Sequence, residues 1–86
     1  MEMSPAERRA RFIISERKKA YTSIFNNINA EAVLSDLDEF CRMNESTFNP
    51  DPRIHALLEG RREVALRIKH YLTRTEDELF EITKRK

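Results

Sequence analysis

The fold is decided by one stretch, residues 51–73, which reads DPRIHALLEGRREVALRIKHYLT. Asp51 can accept a hydrogen bond from a free N–H group in the first turn of a helix, and Pro52 has no N–H to leave unpaired there. Eight apolar residues then recur every three or four positions, and the pattern predicts a helix over 52–73 that reaches about 30 Å. They are Ile54, Leu57, Leu58, Val64, Ala65, Ile68, Tyr71 and Leu72.

One residue inside this stretch works against a helix. Gly60 costs about 1 kcal/mol relative to alanine in a helix interior. A close crossing by another helix at Gly60 would explain why a glycine stands there despite this cost. The alternative is that the helix tolerates Gly60 as a local defect. The apolar stripe around it spans roughly 140° of the predicted helix.

The same start signals recur elsewhere in the chain. Ser4 with Glu7 forms a capping box ahead of an apolar rhythm, which predicts a helix over 5–26. Asn29 precedes an apolar stripe that predicts a second helix over 30–43. That stripe comprises Val33, Leu34, Leu37, Phe40 and Cys41.

A second capping box, Thr75 with Glu78, predicts a short helix over 76–84. With one glycine and no alternating apolar pattern, tight β-hairpins are improbable. We therefore predict an all-α fold in one domain over 1–86, a small bundle of three to four helices with a long first and a long third helix.

Composition limits the function classes. Of 86 residues, 40% are hydrophobic and 36% are charged, which is typical of a soluble folded chain. Cys41 is the single cysteine, so an internal disulfide framework is excluded, and one glycine excludes a Gly-rich phosphate-binding loop. No stretch approaches the apolar length of a membrane span, and the first residues lack a signal-peptide core.

Charge is distributed in blocks, although the net charge is only +1. Residues 1–28 carry +3, residues 29–51 carry −5, residues 52–74 carry +4 and residues 75–86 carry −1. Such alternation favours segments that attract one another within the fold or in a second copy. The alternative is a solvated charged face on each helix.

Two arginines fall near the centre of apolar stripes. Arg61 lies between apolar residues of the third helix, and Arg17 lies likewise in the first. A buried arginine needs an ionic partner, so we predict structural ion pairs with the acidic second helix, at Asp36, Asp38 or Glu39. The alternative is that each stem packs while its guanidinium reaches water.

A partner-binding candidate lies on the opposite side of the first helix. Phe12 is a large ring on a charged face, next to a basic cluster of Arg8, Arg9 and Arg11. We predict that these four residues contact a protein partner or another copy of the chain. Basic residues of the first and third helices also leave nucleic-acid binding as an alternative, since they can contact phosphates through charge.

Residues with catalytic chemistry are sparse. His55, His70 and Cys41 match no zinc-ligand spacing, and no serine or carboxylate pair has the context of a catalytic site. Cys41 lies on an apolar stripe and is predicted to be a small buried hydrophobe. We therefore expect neither an enzyme nor a bound cofactor or metal.

Four segments carry a family resemblance: VLSDLDEFCR at 33–42, TFNPDPR at 47–53, EGRREV at 59–64 and TEDEL at 75–79. Together they resemble a family of small, largely uncharacterised proteins of tailed bacteriophages, encoded among the virion-structure genes of podoviruses. The resemblance implies a virion-associated or assembly protein, located in the host cytoplasm or the virion, and implies no catalytic residue. A nucleic-acid-binding accessory protein and a small inhibitor of a host enzyme are the alternatives.

Overall fold

A computed structural model describes residues 2–84, and these form four α-helices without a β-strand. The helices are α1 (Pro5–Phe25), α2 (Ile28–Phe40), α3 (Pro52–Thr73) and α4 (Glu76–Lys84). The predicted all-α fold with a long first and a long third helix is confirmed. The predicted bounds of α3 and α4 are also confirmed, and α1 ends one residue earlier than predicted.

Side chains cap the starts of α1 and α3, as the sequence predicts. The Glu7 N–H donates to Ser4 Oγ over 3.1 Å, and the Arg53 N–H donates to Asp51 Oδ1 over 2.9 Å. Each bond satisfies a backbone donor that has no partner within its own helix. These capping hydrogen bonds therefore determine where the two long helices begin.

The second helix starts earlier than predicted. Its N-cap is Asn27 rather than Asn29, because Asn27 Oδ1 accepts a hydrogen bond from the Ala30 N–H over 3.0 Å. The connection between α1 and α2 is thus only two residues long, Asn26 and Asn27. So short a turn places the start of α2 directly beside the end of α1.

The second helix also ends earlier than predicted, at Phe40 instead of residue 43. Arg42 has a left-handed backbone with φ of 54°. Its N–H donates to the Glu39 carbonyl over 3.1 Å, and the Met43 N–H donates to the Asp38 carbonyl over 2.9 Å. This is a Schellman motif, in which a reversed backbone closes the last turn.

One aromatic cluster joins α1, α3 and α4. Ile14, Tyr71, Leu79 and Phe80 are buried together, and Tyr21 stacks on Tyr71 with ring centroids 4.5 Å apart. Burial of apolar surface is the main source of stability in such a core. The cluster therefore attaches α1 and α4 to the C-terminal end of α3.

A lysine strengthens the same junction. Lys18 Nζ donates to the carbonyl oxygens of Tyr71 over 3.0 Å and of Arg74 over 2.7 Å. These carbonyls lie at the negative end of the α3 dipole, where a cation is favourable. Lys18 is thus bound within the fold and does not form part of a free basic surface.

The loop before α3 is anchored by polar contacts. Thr47 is buried, and its hydroxyl donates to Glu59 of α3. His55 Nδ1 donates to the Thr47 carbonyl oxygen over 3.0 Å. The neighbouring Phe48 ring remains largely exposed and lies against His55 with centroids 6.0 Å apart. These contacts fix the loop to α3 without adding a large apolar core.

The molecule is thin and extended for its mass. The Cα atoms span 48 × 34 × 14 Å, and the shortest dimension equals about two packed helices. The radius of gyration is 15.6 Å, whereas a compact chain of this length has about 12 Å. Much of each helix consequently faces outward.

The close helix crossing expected at Gly60 is absent among the described residues. A Cβ placed on Gly60 would meet nothing within 4 Å. Within one chain, the glycine therefore occupies open space on the surface of α3.

We expect Arg42→Gly to raise the free energy of unfolding by about 1 kcal/mol, because glycine adopts a left-handed backbone without the steric cost of an arginine. Urea denaturation followed by circular dichroism measures the change. The matched control is Arg53→Gly inside the first turn of α3, which is expected to lower stability. A loss of stability in Arg42→Gly would contradict the role assigned to this backbone.

We expect Glu78 to make stability depend on pH. Thr75 lowers the pKa of Glu78, because the Thr75 N–H donates to Glu78 Oε1 over 3.0 Å. Folding therefore favours the ionised carboxylate above the ordinary glutamate pKa, and this contribution is lost as the pH falls through the lowered value.

Glu78→Gln should accordingly be less stable than the parent chain at neutral pH, with the difference shrinking in acid. Urea midpoints across a pH series measure it. Glu81→Gln is the control, since Glu81 forms an exposed pair with Lys84 at 3.6 Å. A difference between Glu78→Gln and the parent that stays constant with pH would contradict the expectation.

Candidate protein-interaction surface

The apolar stripe of α3 is covered unevenly, with Leu58 and Ala65 buried and other residues of the stripe exposed. Tyr71 near the C-terminal end is buried in the aromatic cluster. Towards the N-terminal end, Leu57 is 53% exposed and Val64 is 60% exposed. Both lie on one side of α3, seven residues apart, so two turns of apolar surface face outward.

The first helix presents a second uncovered apolar side. Ile14 is buried, whereas Ile13 and Ile24 are exposed eleven residues apart on one side of α1. Arg17 lies between them and lines a groove of about 430 Å³ together with Gly60 and Val64 of α3. Arg17 of α1 therefore borders the exposed stripe of α3.

The second helix supplies the other border. Val33 and Phe40 are half-exposed and lie two turns apart on one side of α2, with Asp36 between them. The guanidinium of Arg61 lies 4.4 Å from the centre of the Phe40 ring. This contact joins the border of α2 to the stripe of α3.

We call the combined surface the open face. It consists of Ile13, Arg17, Ile24, Val33, Asp36, Phe40, Leu57, Gly60, Arg61 and Val64. An exposed apolar surface that crosses three helices is unusual for a soluble monomer and is typical of an interaction site.

The predicted ion pairs of Arg61 and Arg17 do not form within residues 2–84. Arg61 instead packs its guanidinium on the Phe40 ring, a cation–π contact that needs no carboxylate. Arg17 is exposed, as are Asp36 and Glu39, while Asp38 is half-buried. The neighbour that α2 gives to Arg61 is therefore the Phe40 ring, whereas the charge pattern predicts a carboxylate.

The predicted partner-binding cluster on α1 is divided by the structure. Phe12 is 66% exposed, and Arg8 and Arg9 are exposed on the same side of the helix. Arg11 points elsewhere: its Nη1 lies 2.6 Å from Asp77 Oδ1, and its guanidinium lies 4.3 Å from the Phe80 ring centre. Three of the four residues thus share an accessible side, and Arg11 binds α1 to α4.

The Arg11 contact is electrostatically favourable. The hydrogen bond to Asp77 raises the pKa of the Arg11 guanidinium above its ordinary value. Glu7 adds a second carboxylate, with Oε2 3.7 Å from Nε. Arg11 is therefore a structural residue of the fold rather than a free basic group.

The side chains that could bind a metal are not grouped in the described part of the chain. Cys41 is buried and packs as a small hydrophobe, as the sequence predicts. Over residues 2–84, no group of three histidine, cysteine, aspartate or glutamate side chains is arranged to hold a metal. In the same part of the chain, no helix is both long and apolar enough to cross a membrane.

A protein-family model described as Bbp19-like phage protein matches residues 21–83, from the last turns of α1 to the end of α4. The chain belongs to this family of phage proteins. No curated protein and no solved structure matches it. The predicted phage origin is confirmed, and most of the open face lies in the matched part of the chain.

The match leaves out much of α1. Phe12, Arg8 and Arg9 lie outside it, as do Ile13 and Arg17 of the open face. The residues of α2 and α3 in the open face all lie within the match. The matched range therefore contains the α2–α3 part of the candidate surface.

Apolar periodicity does not mark the open face as a site, although it identifies most of the apolar residues of that face. Leu57, Val64, Val33 and Phe40 all belong to stripes predicted to form the core. One signal was available: a stripe about 140° wide is broad for a helix that few neighbours can cover. A stripe this wide indicates that one part of it packs within the chain and the other part packs against a second surface.

We expect Arg11→Ala to destabilise the chain more than Asp77→Asn. The first change removes the packing on Phe80 as well as the ion pair, whereas the second removes only the charge of an exposed partner. Thermal unfolding of both variants measures the difference. Arg8→Ala, at an exposed arginine of the same helix, is the control and should unfold like the parent. Equal effects of Arg11→Ala and Arg8→Ala would contradict the assignment.

Proposed function

We propose that the chain is a non-enzymatic assembly or virion-associated protein of a tailed phage and acts by protein–protein contact. Membership of the Bbp19-like phage protein family supports the phage context. The observation that carries the proposal is the open face, an apolar surface across three helices. Its exposure to water is unfavourable unless another protein covers it.

The charged residues agree with this proposal better than with nucleic-acid binding. Arg11 is paired with Asp77, Lys18 caps α3, and Lys19 lies 3.5 Å from Glu16. Arg62 Nη1 donates to the Arg42 carbonyl oxygen over 3.1 Å. Four of the basic side chains that could contact phosphates are thus engaged within the chain.

The place of action follows from the proposal. A phage assembly protein is made in the cytoplasm of the host and either remains there or enters the particle. Its mechanism is complementarity of shape and charge, with apolar burial providing affinity and charge providing orientation. An inhibitor of a host enzyme would use the same kind of surface but would bind a host protein.

We expect the chain to co-purify with phage particles or assembly intermediates. The experiment separates infected-cell lysates on a density gradient and quantifies the chain by mass spectrometry in each fraction. Val64→Glu places a charge on the open face and should reduce co-purification. Phe12→Glu, at a similarly exposed position outside that face, tests the contact predicted from the sequence on the other side of α1. If the open face is the contact, this variant leaves co-purification unchanged.

Two results would overturn the proposal. One is complete absence of the chain from particles and intermediates, combined with capture of a host enzyme. The other is retention on DNA with a steep fall as salt rises, which is the signature of phosphate contacts.

A further inference from the structure

We propose that the open face is covered by the open face of a second copy, in a dimer with two-fold symmetry. The proposal rests on the proposed function, because it names the first protein contact that the surface makes. Three independent observations support this occupant: surface area, charge and the position of Gly60.

The surface area matches what a dimer needs. The chain exposes 6831 Å², which exceeds by about 1,500 Å² the area of a compact monomer of its mass. A standard interface buries about 800 Å² on each partner. Burying that area in each copy would therefore remove about half of the excess.

The charge of the two borders is complementary. The border of the open face on α1 carries the exposed Arg17, and the border on α2 carries the exposed Asp36. The exposed α3 stripe lies between these borders. A two-fold axis through the stripe places α1 of each copy over α2 of the other, so unlike charges face each other.

This arrangement gives partners to side chains that have none in the single chain. Within residues 2–84, Arg17 and Asp36 form no ion pair, although each lies on a border of the open face. Across the two-fold axis, Arg17 of one copy meets Asp36 of the other. The ion pair that the sequence predicts between α1 and α2 is then formed between copies.

The two-fold axis also accounts for Gly60. This glycine lies on the exposed side of α3, between Leu57 and Val64, and has open space beside it. A glycine costs about 1 kcal/mol in a helix interior, and it permits close approach of a second helix. In the dimer the α3 helices of the two copies cross at this position.

Sedimentation velocity over a series of protein concentrations tests the dimer. The parent chain should sediment with about twice its mass of 10.2 kDa. Leu57→Glu should raise the dissociation constant by about 30-fold or more, the effect of a central interface residue. Phe12→Glu is the matched control and should leave dimerisation unchanged. Circular dichroism checks that each variant keeps its helices, which is expected because both positions are exposed.

A charge exchange tests the geometry of the dimer. Arg17→Glu and Asp36→Arg should each weaken the dimer, and the double variant should recover affinity because both ion pairs are restored with reversed sign. Gly60→Leu should dissociate the dimer while leaving helix content intact. No recovery in the double variant would overturn the two-fold pairing.

Failure of the dimer is distinct from failure of the proposed function. A chain that is monomeric at every concentration, yet co-purifies with phage particles, overturns the dimer alone. A dimer lost in Phe12→Glu and retained in Leu57→Glu also overturns it, since the contact then lies on the other side of α1. A dimer that is absent from particles and intermediates supports this inference and contradicts the proposed function.

Discussion

The stack of Tyr21 on Tyr71 is the contact on which the arrangement of the helices depends. The two rings are nearly parallel, with an interplanar angle of 7°, and they join α1 to the last turns of α3. Ile14, Leu79 and Phe80 enclose the same point, so α4 is attached there as well. Because this cluster lies at one end of α3, Leu57 and Val64 towards the other end are left exposed, although Leu58 and Ala65 beside them are buried. The open face is a direct result of this unequal packing.

An 86-residue chain has limited means to avoid that result. Small domains bury a smaller fraction of their surface than large ones, so broad apolar stripes on several helices exceed what one copy can enclose. In this molecule six exposed apolar side chains lie on the open face, which carries Arg17 on its α1 border and Asp36 on its α2 border. A surface of this kind favours recognition by another protein, because apolar area supplies the driving force and the separated charges set the orientation.

Local chemistry made much of the fold predictable. Ser4, Asp51 and Thr75 mark the starts of three helices through hydrogen bonds that depend on adjacent residues alone. The bounds of α2 were harder, because two asparagines in its first turn compete as N-cap and because its end depends on the left-handed backbone of Arg42. Neither choice is fixed by composition or apolar periodicity.

The candidate site was less predictable for a physical reason. Periodicity identifies which side of a helix is apolar, but it does not say whether the same chain or another protein covers that side. Leu57 and Leu58 are neighbours in one stripe, and only Leu58 is buried. Arg61 shows the same limit, since an aromatic ring and a carboxylate are both suitable neighbours for a guanidinium. The choice depends on tertiary contacts that the sequence does not state.

The buried position of Cys41 gives the molecule an internal reporter. The thiol lies at the end of α2, outside the aromatic cluster that joins the other three helices. Regions with few core contacts open at a lower free energy than the rest of a protein. A reagent that modifies thiols therefore reads out detachment of α2 separately from global unfolding, and it does so through a native side chain.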